Sequence, residues 1–177
     1  MSIERIIIHW DGGNGNMSEY LRKYYHFMVD KNANTYSGKY KPEDNINTSD
    51  NEYCPHVGGL NTGAIGVAVL GMHGFDLFKT VGDYEINRKQ MEACFSLVAK
   101  LCHKYNLEPV DNVVNTHAEI GVKVLNGEIK RTPLTALNVG KQDILFLPYK
   151  PNMKPDQVGE YIRNKINWYY KKIKKDG

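Results

Sequence analysis

Three consecutive isoleucines, Ile6-Ile7-Ile8, run straight into His9-Trp10-Asp11-Gly12-Gly13. A short β-branched run bounded by glycines reads as a buried strand. It puts His9 on rigid backbone at the strand's exit, with a loop opening beside it, a position suited to metal binding or acid–base chemistry. A second apolar run, Val113-Val114-Asn115-Thr116, ends on His117. Two strands remote in sequence can bring these histidines together at one edge of a sheet. A third run, Ala64 to Leu70, is apolar enough for a central strand, and Gly71-Met72-His73-Gly74 breaks it.

The remaining pattern mixes strands with helices, which predicts a single α/β layer structure: a mixed central β-sheet flanked by helices. Ser18 can cap a short helix through Arg22. Tyr25 to Val29 reads as a strand, and the turn Asp30 to Asn34 leads into Thr35-Tyr36, a hairpin. Residues 39–53 are polar and irregular. The clearest helix spans about 84–105, with Cys94, Leu97, Val98, Leu101, Cys102 and Tyr105 at i, i+3, i+4 spacing. Residues 121–142, punctuated by Gly121, Gly127, Pro133 and Gly140, read as an ordered loop with a helical turn. A last helix, about 155–174, aligns Val158, Ile162, Ile166, Tyr169 and Ile173. One domain over 1–177 is expected, since 177 residues suffice for a sizeable core.

Composition excludes several classes. With 41% hydrophobic and 24% charged residues the chain is expected to be globular. A net charge of +3, without a basic stripe interleaved with aromatics in the body of the chain, argues against nucleic acid. No apolar stretch is long enough to span a bilayer, so stable membrane insertion is not expected. Met1-Ser2-Ile3-Glu4-Arg5 leads into only a short apolar run, so the expectation is synthesis in the cytoplasm without a signal peptide. The three cysteines form no Cys-x-x-Cys motif, and Cys94 and Cys102 fall on an apolar helix face as buried free thiols. The basic run Lys171-Lys172-Ile173-Lys174-Lys175 has two readings. One is a solvated helix end favoured by the helix dipole; the other is attraction to an anionic envelope polymer or membrane surface.

Four further histidines compete for roles. His26, in the apolar hairpin strand, reads as a hydrogen-bonded structural residue. His103 lies on a polar helix face, His73 in a glycine-bounded turn, and His56 before Gly58-Gly59. A catalytic zinc needs three protein ligands and an open position. Beside His9 and His117 the third ligand can be Asp11, Glu119 or Asp143. The first two lie two residues from a histidine, the same face of an extended strand. Spacing does not rank the three.

The blocks Ile6-Ile7-Ile8-His9, Tyr25 to Asp30, His56-Val57-Gly58-Gly59-Leu60-Asn61-Thr62 through Ile65-Gly66, Asn115 to Glu119 and Gly140-Lys141-Gln142-Asp143 occur in a telling order. Over about residues 4–146 the chain resembles the zinc-dependent N-acetylmuramoyl-L-alanine amidase family (type 2), which includes phage lysozymes of the amidase kind and peptidoglycan recognition proteins. The resemblance implies one Zn2+ held by His9, His117 and Asp143. It implies Lys141 and Tyr25 as catalytic residues, and His56 in the substrate groove. Some members carry a catalytic glutamate at the position of Ala68, which alanine removes here, leaving Tyr25 as the candidate. The implied activity is cleavage of the amide between N-acetylmuramic acid and L-alanine of peptidoglycan, by a monomer of the phage endolysin kind acting on the wall after release. The alternatives are a cytoplasmic recycling amidase for soluble anhydro-muropeptides and a recognition module that binds without cutting.

Overall fold

The computed structural model describes residues 2–78 and 82–176. Five strands form one sheet in the order β3-β2-β4-β1-β5: β1 Arg5–Trp10, β2 Phe27–Val29, β3 Thr35–Ser37, β4 Ala64–Val69 and β5 Val114–Thr116. β4 pairs parallel with β1 and β2, β1 pairs parallel with β5, and only the β2–β3 hairpin is antiparallel. The expected mixed sheet flanked by helices is therefore observed. Three α-helices accompany it: α1 Arg88–Lys104, α2 His117–Leu125 and α3 Pro155–Asp176.

The two faces of the sheet are unlike, and alternation along β1 sorts them. Ile6, Ile8 and Trp10 join Ile65, Val67 and Val69 under α1 and α3 in the main core. Ile7 faces the other way with Val57, Ala64 and Ile120. His9 shares that second face. The three isoleucines are wholly buried, each contributing roughly 1.5–3 kcal/mol by removal from water. Buried Gln90 of α1 donates its amide to the carbonyls of Val29 and Leu70 at 3.0 and 2.7 Å, tying the ends of β2 and β4 to the helix.

Several boundaries differ from the sequence reading. Helix α1 starts at Arg88 rather than near residue 84, because Asn87 and Gln90 form a reciprocal capping box there. Tyr25 and His26 precede β2 rather than lying in it. His117 is not the last residue of a strand: Thr116 ends β5 and at once caps α2, its hydroxyl accepting from the Glu119 N–H. Part of the segment read as loop, 121–125, is thus helix. The polar stretch 39–53 holds a short 3-10 helix, Pro42–Ile46. The C-terminal helix matches its expected start at Pro155. Cys54, Cys94 and Cys102 are buried and unpaired, and burial pushes the thiols of Cys94 and Cys102 up to about 12. Among the described residues no helix is long and apolar enough to cross a membrane.

Candidate metal centre

Parallel pairing of β1 with β5, in the register Ile8 to Thr116, brings His9 and His117 to the same end of the sheet. Their ring centroids lie 4.7 Å apart. The loop after the 3-10 turn Thr135–Asn138 returns Asp143 between them, 3.2 Å from His9 Nδ1 and 3.0 Å from His117 Nδ1, in both cases through Oδ2. All three ligand atoms fall within 4.8 Å of one another. Ligand atoms on a tetrahedral zinc, each at 2.0–2.1 Å, sit about 3.3 Å apart.

The outer nitrogens of both rings are committed. His56 Nε2 faces only the Ala64 carbonyl, at 3.4 Å, which can accept but not donate. His56 Nε2 therefore carries the hydrogen, and its Nδ1 accepts from His9 Nε2 at 3.1 Å. Burial, reinforced by the neighbouring histidines, holds His56 well below its ordinary value, so it stays neutral and this tautomer holds. His9 then offers a bare Nδ1 toward Asp143; its own pKa is lowered to about 4, chiefly by burial. On the other side, Asn138 donates its amide nitrogen to the carbonyls of Gly58 and Thr135, which turns its oxygen toward His117 Nε2 at 3.0 Å. His117 thus donates from Nε2 and, when uncharged, presents a bare Nδ1. Burial raises the Asp143 carboxyl, and a proton on the His117 or His9 Nδ1 would lower it; with both Nδ1 atoms bare, a cation has to take that place. Two imidazole lone pairs and a carboxylate aimed at one point form a donor set for a cation, with both histidines oriented from behind, as metal ligands usually are. The residues fit a metal ion.

Two close approaches shape the pocket. A Cβ on Gly66 of β4 would meet the His56 ring at 2.5 Å, and one on Gly121 of α2 would meet the Asn138 carbonyl oxygen at 2.4 Å. Glycine at each position leaves room for one of the two orienting residues.

The competing carboxylates are engaged elsewhere. Asp11 accepts from the backbone N–H groups of Gly13 and Gly71, at 3.0 and 2.7 Å. Glu119 turns with the helix rather than continuing a strand. It accepts from the Thr116 N–H at 2.8 Å and pairs with Arg163 of α3 at 2.8 Å. The face argument that made Glu119 a candidate thus fails, because the chain turns helical at His117.

The structure places the other expected residues around the cluster. The Tyr25 ring lies 5.3 Å from the His9 ring, on a patch with Met28, Ala68 and Leu70. Burial, with the charges of Asp143 and Asp11, pushes its phenol above its ordinary value, so it keeps its proton. Lys141 is exposed and borders two hollows beside the cluster. One, of about 390 Å³, is shared with His56, His117 and Asn138; the other adjoins Trp10 and Asp143. The His56 ring is buried behind His9, while its edge borders the first hollow. His26 has the structural role its setting suggested: Nδ1 accepts from the Gly66 N–H at 2.9 Å, and Nε2 pairs with Asn45 at 3.1 Å. His73 and His103 are exposed. Asn138 was missed by sequence reasoning. A lone asparagine in a Gly- and Pro-spaced stretch carries no local signal for orienting a histidine 21 residues away.

Comparison with known proteins bears on the fold and the family. The fold is similar to that of the N-acetylmuramoyl-L-alanine amidase LysC from Clostridium intestinale, with 18% identity, a TM-score of 0.53, and coverage of 94% of this chain and 87% of that one. It is also similar to the endolysin amidase LysCS of the same organism, with 17% identity, a TM-score of 0.54, and 94% and 85% coverage. For the Staphylococcus aureus hydrolase AmiA the identity is 18%, the TM-score 0.56, and the coverage 96% and 73%. No curated protein sequence matches the chain significantly. The sequence profile of the N-acetylmuramoyl-L-alanine amidases matches residues 1–131, which include His9 and His117 but stop short of Lys141 and Asp143. With that match over most of its length, the chain belongs to the N-acetylmuramoyl-L-alanine amidase family.

Proposed function

We propose that this chain hydrolyses the amide between N-acetylmuramic acid and L-alanine in peptidoglycan, with a zinc ion held by His9, His117 and Asp143. The observation that carries the reading is the convergence of three acceptors, two of them held in one tautomer from behind, in a chain of the amidase family. A bound zinc ion would supply Lewis acidity toward the scissile carbonyl and bring the pKa of a bound water to about 7.

The chain's own residues account for the rest. His56 and Asn138 keep the His9 and His117 Nδ1 lone pairs turned inward. Tyr25 retains its phenolic proton near neutrality and can donate it toward the reacting centre from beside His9. The Lys141 ammonium, which borders both hollows, would in this reading stabilise the negative charge that develops on the carbonyl oxygen as the amide is attacked. Losing one such donor typically costs about 100- to 1,000-fold in rate. The open hollow bordered by Lys141, His56 and Asn138 is the place this reading gives to part of the stem peptide. Similarity to the endolysin amidase LysCS supports a lytic role on the wall, and the proposal takes the chain to act as a monomer.

The test pairs metal content with product analysis. Wild type, Asp11→Ala and Glu119→Ala are expected to hold one zinc per chain, and Asp143→Ala none. Wild type is expected to expose new L-alanine amino groups on purified peptidoglycan. New reducing ends without new amino groups, or zinc retained by Asp143→Ala, would overturn the reading.

A further inference from the structure

The C-terminal two-thirds of α3 carries a charge pattern that the catalytic site does not use. Residues 161–175 contain six cations and no carboxylate, although the whole chain carries only +3, so the remainder of the chain is net negative by three. Two of the six are internal: Arg163 pairs with Glu119, and Lys165 with Glu92 at 2.7 Å. The other four, Lys171, Lys172, Lys174 and Lys175, are exposed, and among the described residues they form no ion pair. Favourable interaction with the helix dipole reaches only the last turn. It does not account for Trp168, which stands half exposed on the same stripe, with the Lys172 Nζ 3.7 Å above its ring. Lys165, Trp168, Lys171, Lys172 and Lys175 recur at helical spacing along one face. The opposite face, with Val158, Ile162, Ile166 and Tyr170, is buried in the core.

We propose that this exposed lysine–tryptophan stripe binds a linear phosphodiester polymer of the bacterial envelope, holding the enzyme on the wall. The inference rests on the wall being the substrate of the catalytic centre. Charge complementarity selects a polyanion, because four exposed ammonium groups with no ion-pair partner among the described residues, two of them resting on aromatic rings, stand along one helix end and match a chain of regularly spaced phosphates. Packing decides against a bilayer. A helix that lies in a membrane surface inserts an apolar face, and the apolar face of α3 is already spent on α1 and the sheet.

The test uses the full chain and purified Gram-positive walls, either intact or stripped of phosphodiester polymer with hydrofluoric acid. Wild type is expected to bind intact walls more tightly than stripped walls, by about 25-fold when two lysines engage and about 600-fold when all four do, since each lysine near an anionic surface contributes roughly fivefold. The preference should shrink as salt rises. Replacing the four lysines together (K171Q, K172Q, K174Q, K175Q) should abolish it, and Trp168→Ala should weaken it. Hydrolysis of a soluble muramoyl peptide should be unchanged in both variants, because none of these residues touches the metal cluster. Equal binding of wild type to intact and stripped walls would overturn the proposal. So would tighter binding to vesicles of equimolar phosphatidylglycerol and phosphatidylcholine than to intact walls. If soluble muramoyl peptide is not cut even by wild type, the amidase reading fails, while the comparison of intact with stripped walls still decides this one.

Discussion

Two settings for carboxylates lie near α2, and they solve the same problem in opposite ways. In one, Asp111, Glu119 and Glu128 surround Lys123 and Arg163, so every negative charge has a cation built into the chain. In the other, Asp143 meets only the Nδ1 atoms of His9 and His117, whose outer nitrogens already donate to His56 and Asn138. A partly buried anion needs a partner. The first cluster supplies its own and locks α3 against α2 and β5. The second aims three acceptors at one point, where a cation from outside could bind. The difference separates a structural network from a candidate metal centre more sharply than burial or charge count does.

The largest effect should come from the ligands. Asp143→Ala or His117→Ala should abolish zinc binding and reduce amide hydrolysis to background, by metal analysis and amino-group release. If either variant kept a full complement of zinc, the contrast between the clusters would break. Next come the orienting residues. His56→Phe or Asn138→Leu should leave the fold intact and weaken zinc affinity by about 10- to 100-fold, as loss of an outer hydrogen bond to a ligating histidine does. Competition with a chromogenic chelator would measure it. Gly66→Ala should act in the same direction by driving the His56 ring from its place. Unchanged affinity in all three would mean the rings need no orientation.

Smaller effects belong to the self-neutralised cluster. Glu119→Gln should cost about 1–3 kcal/mol of stability, since it weakens both the α2 cap and the pair with Arg163, yet leave zinc at one per chain. Denaturant unfolding and metal analysis of the same sample would check both halves. The smallest effect concerns Asp111. Burial raises its carboxyl, but hydrogen bonds from Lys123 and Asn115 outweigh this and hold it at about 2. A depressed carboxyl stabilises the fold above its unfolded value, about 3.9, and that contribution fades as pH falls toward 2. The Tm gap between wild type and Asp111→Asn should therefore narrow from pH 5 to pH 2, and modestly, because the group is half exposed.

Local pattern carried much of this architecture. The Ile6-Ile7-Ile8 and Ala64–Leu70 runs read correctly as buried strands, because a fully buried parallel strand needs an unbroken apolar run. The amphipathic periods of α1 and α3 were equally plain. The start of α2 was not, because Thr116-His117-Ala118-Glu119 continues an apolar run without a glycine or proline to mark the change of period. Its signal was the capping pair Thr116 and Glu119, which has the Thr-x-x-Glu form. That pair also engages Glu119, which is spent on the cap and on Arg163. His56 was legible as part of a motif, but its contact with His9 was not, since strand pairing alone brings them together across 47 residues.

Sequence alone determined that His9 and His117 close two apolar runs, and that Tyr25, Lys141 and Asp143 occur in the order of an amidase. Those properties live in short segments, where period and residue type suffice. Only the tertiary structure sets Asp143, rather than Asp11 or Glu119, in one cluster with His9 and His117. Each carboxylate takes its role from whichever donors the fold sets beside it, and those donors come from distant segments: Gly71 for Asp11, Arg163 for Glu119, two histidines for Asp143. It likewise decided the tautomers, because the Ala64 carbonyl and the Asn138 amide reach the rings only once the sheet is formed.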